Sequence, residues 1–262
     1  MTYRLIKAEG AGALRRAAPL FDGWQETAVW SALQQEMGCV WTLSDLPRAA
    51  LCESADFLFL AGEAQEAETE QILRVWQQER AGKFAILIPR DPVCAALIES
   101  IFGAAAKPEK RFAFQKGGES FDRIALEQLA AKRPADVQLR PFDRELYAAA
   151  LQADWSRDFV SQFRDAEDYL KRGIGVVALR GGRMVGGASS YTVYRGGIEV
   201  QIETHSDHRR QGIAAACGAQ LILNCMDRGL YPSWDAANEV SAHLARKLGY
   251  RDAGPYACWE LY

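Results

Sequence analysis

Residues 198–230, IEVQIETHSDHRRQGIAAACGAQLILNCMDRGL, constrain the fold of this chain more than any other stretch. Ile198, Val200 and Ile202 alternate with Glu199, Gln201 and Glu203, a period of two that predicts a strand with one buried face. After a short polar turn, Ile213 opens a run in which Ala214, Ala215, Ala216, Leu221 and Ile222 recur at helical spacing. That helix is expected to stop at Gly229, with Asp227 and Arg228 in its last turn. Between strand and helix lies Arg209-Arg210-Gln211-Gly212-Ile213-Ala214. A helix N-terminus presents N–H groups without intrahelical partners at the positive end of the dipole, so this turn is a place for phosphate. Gly212 lets a ligand approach the backbone closely, and the small Ala214 keeps the mouth of the helix open.

The spacing Arg209-x-x-Gly212-x-Ala214 resembles the pyrophosphate loop of the GNAT superfamily of N-acetyltransferases, which also lies between a strand and a helix. The stretch from Asn238 to Tyr250, NEVSAHLARKLGY, is similar to a second segment of that family, and the distance between the two motifs fits. The resemblance covers about residues 137–262. It implies acetyl-CoA as donor, held by the backbone and side chains of Arg209, Arg210, Gln211, Gly212, Ile213 and Ala214. It also implies a central strand splayed from its neighbour, so that backbone groups near Ile202 and Thr204 meet the pantetheine and thioester. Asn238 is expected as a contact on the coenzyme side. The family often places a glutamate base on this strand at no fixed position, which leaves Glu199 and Glu203 both as candidates. A carboxylate half-buried beside a cofactor can take a proton from an amine, directly or through water.

The chain departs from the family pattern at one point. Seven residues after the asparagine, where many relatives carry a tyrosine that protonates the thiolate, this sequence has Ala245. Tyr250, Ser241 and His243 are nearby substitutes, each with a structural reading as well, and the acid is left unassigned. His205 and His208 flank the turn without a ligand spacing that predicts a metal site.

Around these motifs the second half reads as α+β. Val137–Phe142 is an opening strand, followed by helical stretches near 143–152 and 165–172. Gly181-Gly182 makes a hairpin of strands 176–180 and 184–194, and Tyr231–Asp235 is the strand after the crossover helix. The chain ends with a strand at Tyr256–Leu261, one strand short of the family's complement, so the sheet is either trimmed or filled by another element.

The first half predicts two helices within 13–37 divided by Gly23, a strand from Cys39 to Leu43, and a polar, proline-containing connection to a buried strand at 56–62. A helix near 66–80, a strand at Phe84–Ile88, a helix near 93–103 and a strand at Arg111–Gln115 follow, with Lys116-Gly117-Gly118 closing it. This strand–helix–strand–helix–strand order matches residues 198–261, so the half reads either as a degenerate repeat of the second or as an unrelated α/β domain. Its loop Gly62–Glu68 carries carboxylates where the second half has arginines, and these would repel pyrophosphate. The expected domains are 1–135, an α/β domain that helps shape the acceptor side, and 136–262, the transferase domain, a mixed sheet flanked by helices.

With 262 residues, 49% hydrophobic and 25% charged, the composition is that of a globular protein with a sizeable core. A net charge of −3 argues against nucleic acid or an anionic membrane as the main partner. Six cysteines without a C-x-x-C pair read as buried free thiols, and the start of the chain lacks a signal-peptide core, so the cytoplasm is the expected compartment. The expected activity is acetyl-CoA-dependent N-acetylation of a small-molecule amine. A coenzyme-A-binding regulatory protein with weak catalysis and a transferase of longer acyl groups are the alternatives. The oligomeric state is not readable from the chain, and a homodimer is left open.

Overall fold

The structure, a computed structural model, describes residues 3–117 and 121–262. Gly118, expected at the close of a strand, lies outside the described residues. The chain opens with β1 (Ile6–Lys7), α1 (Gly10–Ala17), a 3-10 turn and α2 (Thr27–Leu33). Pro19 in that turn and the left-handed Gly23 divide the helical stretch, because proline cannot donate and glycine accepts positive φ. An antiparallel meander follows: β2 (Cys39–Thr42), β3 (Ala50–Ser54) and β4 (Phe57–Ala61). Here β3 occupies part of what the sequence predicts as a connection. Next, α3 (Ala67–Glu79) crosses to β5 (Ala85–Pro89), which lies parallel to β4, and α4 (Cys94–Phe102) leads into β6 (Ala106–Phe114).

The second half begins with α5 (Arg123–Ala131), capped by the Asp122 carboxylate, which accepts from the Ala125 N–H at 3.1 Å. It continues through β7 (Val137–Pro141), α6 (Arg144–Ala150), α7 (Asp154–Arg157) and α8 (Ala166–Arg172) to a second antiparallel meander. That meander is β8 (Gly175–Arg180), β9 (Arg183–Tyr194) and β10 (Gly197–Thr204), with Gly181 and Gly182 both at positive φ in the hairpin turn. α9 (Ile213–Asp227) crosses to β11 (Tyr231–Ser233), parallel to β10. The strand expected at 231–235 breaks at Trp234 and resumes as β12 (Asp235–Ala236); α10 (Glu239–Leu248) and β13 (Asp252–Leu261) end the chain. Each half therefore runs strand, helices, three antiparallel strands, helix, parallel strand, helix, strand.

Two compact units result, one formed up to Arg111 together with Pro255–Tyr262, the other Phe112–Gly254. In the first the strand order is β1-β2-β3-β4-β5-β13-β6, so the last strand of the chain sits beside β5, with Trp259 opposite Leu87. In the second the meander sheet runs β11-β10-β9-β8-β7, and β12 pairs with the end of β6, Asp235 opposite Ala113 and Ala236 opposite Phe112. The end of β6 thus belongs to the second unit and pairs with β12, and the end of β13 belongs to the first unit and pairs with β5. The first unit buries one cluster around Leu58, Leu60, Leu73 and Trp76 and another around Phe21, Trp24, Val29 and Phe59. The second packs Phe114, Trp234, Ala245 and Tyr250 against α9 residues Ala219 and Ile222. Among the described residues no helix is long and apolar enough to cross a membrane.

Candidate active site

The site is built where β10 leaves its parallel neighbour. Gly197, Ile198 and Glu199 pair with Tyr231, Pro232 and Ser233, and there the ladder ends. Trp234 turns away and β12 joins β6, while on the other side the register of β10 with β9 shifts between Glu199 and Val200. β10 itself continues to Thr204. The His205 N–H donates to Val185 O of β9 at 3.0 Å, so by the alternation of an antiparallel ladder Val200, Ile202 and Thr204 turn their backbone groups to the open side. α9 covers one face of this strand closely. A Cβ on Gly218 would lie 2.8 Å from Leu248 Cδ1 and 3.3 Å from Ile202 Cδ1, so a larger residue there would have to displace these side-chain ends.

Beyond Thr204 a 3-10 turn at Ser206–His208 leads into the arginines. Arg210 (φ 60°) and Gly212 (φ 81°) are both left-handed on either side of Gln211, a curl that turns successive N–H groups toward one point. Gly212 is the N-cap of α9 and has no side chain to satisfy the first turn, so Ile213, Ala214 and Ala215 present their N–H groups at the positive end of a 15-residue helix. A Cβ at 212 would stand 3.0 Å from the Lys132 carbonyl oxygen at the end of α5, which makes the glycine obligatory on two counts. Arg209 Nε donates to Thr204 O at 3.1 Å, and its Nη2 reaches Glu203 Oε1 at 3.3 Å. The same Glu203 oxygen accepts from the Thr204 N–H at 2.9 Å. Arg180, at the end of β8, braces the turn from behind: it donates to His208 Nδ1 at 2.8 Å and to Gln211 Oε1 at 3.0 Å and is paired with Asp136 at 2.9 Å.

Glu199, Gln201 and Glu203 project to the face opposite α9. At the point where the ladder ends, Glu199 is half-buried beside Thr192 of β9 and opposite Ser233 of β11. Lys116, just past β6, donates to Ser233 Oγ at 2.6 Å and to Trp234 O at 3.2 Å, bringing an ammonium to this corner. Tyr194 lies close as well: burial, aided by the Glu199 charge, pushes its phenol well above the ordinary tyrosine range. Asn238 stands at the N-cap of α10, its side-chain oxygen accepting from the Ser241 N–H at 3.0 Å.

The residues considered for the acid are committed elsewhere. Ala245 is wholly buried in the core of the second unit. Tyr250 OH donates to Pro232 O at 2.6 Å, the Ser241 hydroxyl accepts from Trp234 Nε1 at 3.2 Å, and His243 is exposed on α10. His205 packs edge-on against Trp155 with ring centres 5.4 Å apart. Among the described residues no group of three His, Cys, Asp or Glu side chains could hold a metal ion.

A family model described as GNAT acetyltransferase matches residues 18–259, nearly the whole chain. The chain belongs to the GNAT acetyltransferase family. A solved GCN5-related N-acetyltransferase-like protein from Streptococcus suis 89/1591 is 39% identical, with 96% of this chain and 99% of that one covered and a TM-score of 0.88. A protein of Bacillus subtilis (strain 168), the uncharacterized N-acetyltransferase YdfB, is 21% identical over 207 residues, 77% of this chain and 76% of the relative. A tandem GNAT protein from the clavulanic acid biosynthesis pathway shares the fold over 99% of this chain and 96% of its own, at 12% identity and a TM-score of 0.58. Membership makes the chain an acyltransferase, and the match beginning at residue 18 takes in the first half as well as the second.

For a GNAT acetyltransferase the arrangement offers an open strand edge, a basic turn and a carboxylate at the fork. Three contributors have no local signal in the sequence. Lys116 reads as the close of the first half's last strand, Lys132 lies just before the expected domain boundary, and Arg180 reads as the end of a hairpin strand. All three reach the site by long-range packing alone. A basic side chain beside a tight turn was the nearest thing to a clue, and only for Arg180.

Proposed function

We propose that the chain transfers an acetyl group from acetyl-CoA to the amine of a small-molecule acceptor. The observation that carries this reading is the open edge of β10 leading directly into a glycine-capped, basic helix N-terminus. The cradle suits a pyrophosphate: Gly212 leaves the helix start without a side-chain cap, the curl of Arg210 and Gly212 directs N–H groups inward, and Arg209 and Arg210 are exposed cations. The backbone of Gln211–Ala214 would hold the phosphates, and Ile202 and Thr204 would pair with the pantetheine arm. Asn238, by resemblance, would border the coenzyme from the start of α10.

The bound donor supplies an activated acyl group as a thioester. Glu199 is the base in this reading: half-buried at the fork, its carboxylate takes the proton that the acceptor nitrogen loses as the C–N bond forms and the C–S bond breaks. Backbone N–H groups on the open side of β10 would polarise the thioester carbonyl. No protein acid is assigned to the leaving sulfur, since a thiol ionises near pH 8.5 and its thiolate departs readily near neutrality. The cytoplasm suits this chemistry and the six free cysteines.

Calorimetric titration with coenzyme A, combined with a multiple-turnover assay of thiol release across an amine library, tests the proposal. Binding and turnover are expected together. Binding without turnover on any amine supports the regulatory alternative, and absence of binding removes both.

A further inference from the structure

At its far end the donor edge of β10 is satisfied by the protein's own side chains. Thr204 faces the open side of β10, and both of its backbone groups are taken. Its N–H is held by Glu203 Oε1 at 2.9 Å and its carbonyl by Arg209 Nε at 3.1 Å. The two side chains are joined in turn, Arg209 Nη2 to Glu203 Oε1 at 3.3 Å. One carboxylate thus occupies a donor that an incoming amide would need and the guanidinium that an incoming pyrophosphate would need.

We propose that Glu203 is a positioning residue for the donor rather than a base: it occupies Thr204 and Arg209 until the coenzyme displaces it. This rests on the acetyl-CoA reading above. The charge logic is consistent. Glu203 bears one negative charge, the pyrophosphate more, and the Glu203–Arg209 pair is solvent-accessible, with side-chain exposures of 37% and 58%. Exposed pairs of this kind are weak, so exchange of Arg209 from carboxylate to phosphate costs little. The coenzyme's amide carbonyl then replaces the Glu203 oxygen on the Thr204 N–H. Glu199 has a different situation, four residues back where the parallel ladder ends. The two glutamates share a face of one strand and divide the work, Glu199 on the proton and Glu203 on the donor.

The experiment is a donor titration and a kinetic comparison of Glu203→Ala, Glu203→Gln and wild type. With its competitor removed, Glu203→Ala is expected to bind coenzyme A about three- to tenfold more tightly, the worth of one exposed ion pair and one hydrogen bond. The donor KM should fall with kcat and the pH–rate profile unchanged. Glu203→Gln keeps an oxygen for the Thr204 N–H but loses the ion pair, and is expected to lie between the two. A merely structural role would lower the thermal midpoint without tightening binding, and that result overturns the proposal. A fall in kcat of about a hundredfold or more in Glu203→Ala, in the range of a lost general base, overturns it too and returns the base to Glu203. If wild type itself fails to bind coenzyme A, the function proposed above falls first and this inference with it.

Discussion

The two halves run through the same order of elements, yet only one of them opens. In the first, β4 and β5 stay paired from Phe57 and Ile86 to Leu60 and Pro89, and the Arg90 N–H closes the end by donating to Leu60 O at 3.1 Å. In the second, β10 and β11 part after Glu199 and Ser233. The turns differ in the same sense. After β4 the chain passes through Gly62 into α3, whose first turn carries Glu68 and Glu70. Glu68 accepts from the Arg48 N–H at 3.1 Å, and Arg48 pairs with Glu66 at 3.3 Å, so neighbouring chain fills the space around that helix start. After β10 the corresponding helix start also lacks a side-chain cap, but Arg209 and Arg210 precede it where the first half has carboxylates. A donor site therefore does not come with the topology. It needs a strand drawn away from its neighbour and a turn that is basic rather than acidic.

Four measurements can break or sharpen this contrast. The largest effect is expected from Glu199→Gln, which removes the base and should lower the acetyl-transfer rate about a hundred- to ten-thousandfold while donor affinity holds. Wild-type rates across pH 6–9 would place deprotonation elsewhere.

The two turn glycines give a paired test. Gly212→Ala strains a φ of 81° and drives a Cβ toward the Lys132 carbonyl, so coenzyme A affinity should fall about ten- to a hundredfold through lost N–H contacts to phosphate. Gly62→Ala should leave that affinity alone. There a Cβ would stand 2.5 Å from Thr69 Oγ1 and 3.0 Å from Ala49 Cβ, at a φ of 149°. Its cost is to folding, about 1–3 kcal/mol in a denaturant melt. Equal effects of both glycines on donor binding would erase the distinction between the halves.

Ala245→Tyr comes next. The position has no exposure and is packed among Trp234, Leu248 and Tyr250, so a phenol has nowhere to go. Overpacking should lower stability by about 1–3 kcal/mol without raising the rate of the folded fraction. A several-hundredfold rise in rate would show that the natural residue cripples catalysis.

The smallest effect is in alkali. Burial pushes the Cys217 and Cys225 thiols of α9 up to about 12, from an ordinary value of 9.0. The unfolded thiols ionise first, so this stability is complete below pH 9 and is lost progressively as pH rises from there toward 12. Each thiol contributes about 1.4 kcal/mol per pH unit in that window, and Cys217→Ala should flatten the fall by one such increment in melts between pH 8 and 10.5. An unchanged slope would mean that Cys217 is not shielded.

Legibility in the sequence followed the range of the interactions. The alternation of 198–204, the Gly181-Gly182 hairpin and the stop at Gly229 are local, and each element lies within a residue or so of its expected bounds. β3 was missed because Pro47 and the charged residues around it mask five strand residues, Ala50–Ser54, of which only Glu53 is not fully buried. Nothing local marks where β11 ends and β12 begins, since neither glycine nor proline interrupts Ser233-Trp234-Asp235 and β12 is set by its pairing with β6. The turn at 209–214 was legible because a helix start and a glycine are local signals. Lys116, Lys132 and Arg180 were not, because only folding brings them there. Asn238 is a coenzyme contact only by resemblance, and what the fold adds is that its carboxamide caps α10.

The pairings of β12 with β6 and of β13 with β5 bear on how such a molecule can be inherited. A gene shortened at the midpoint would leave the first half without the strand beside β5 and the second without the partner of β12. Neither fragment carries its own edge. The half with the zipped strands is therefore retained for the pairing it supplies to β12 as well as for its own core, whether or not it ever meets a substrate.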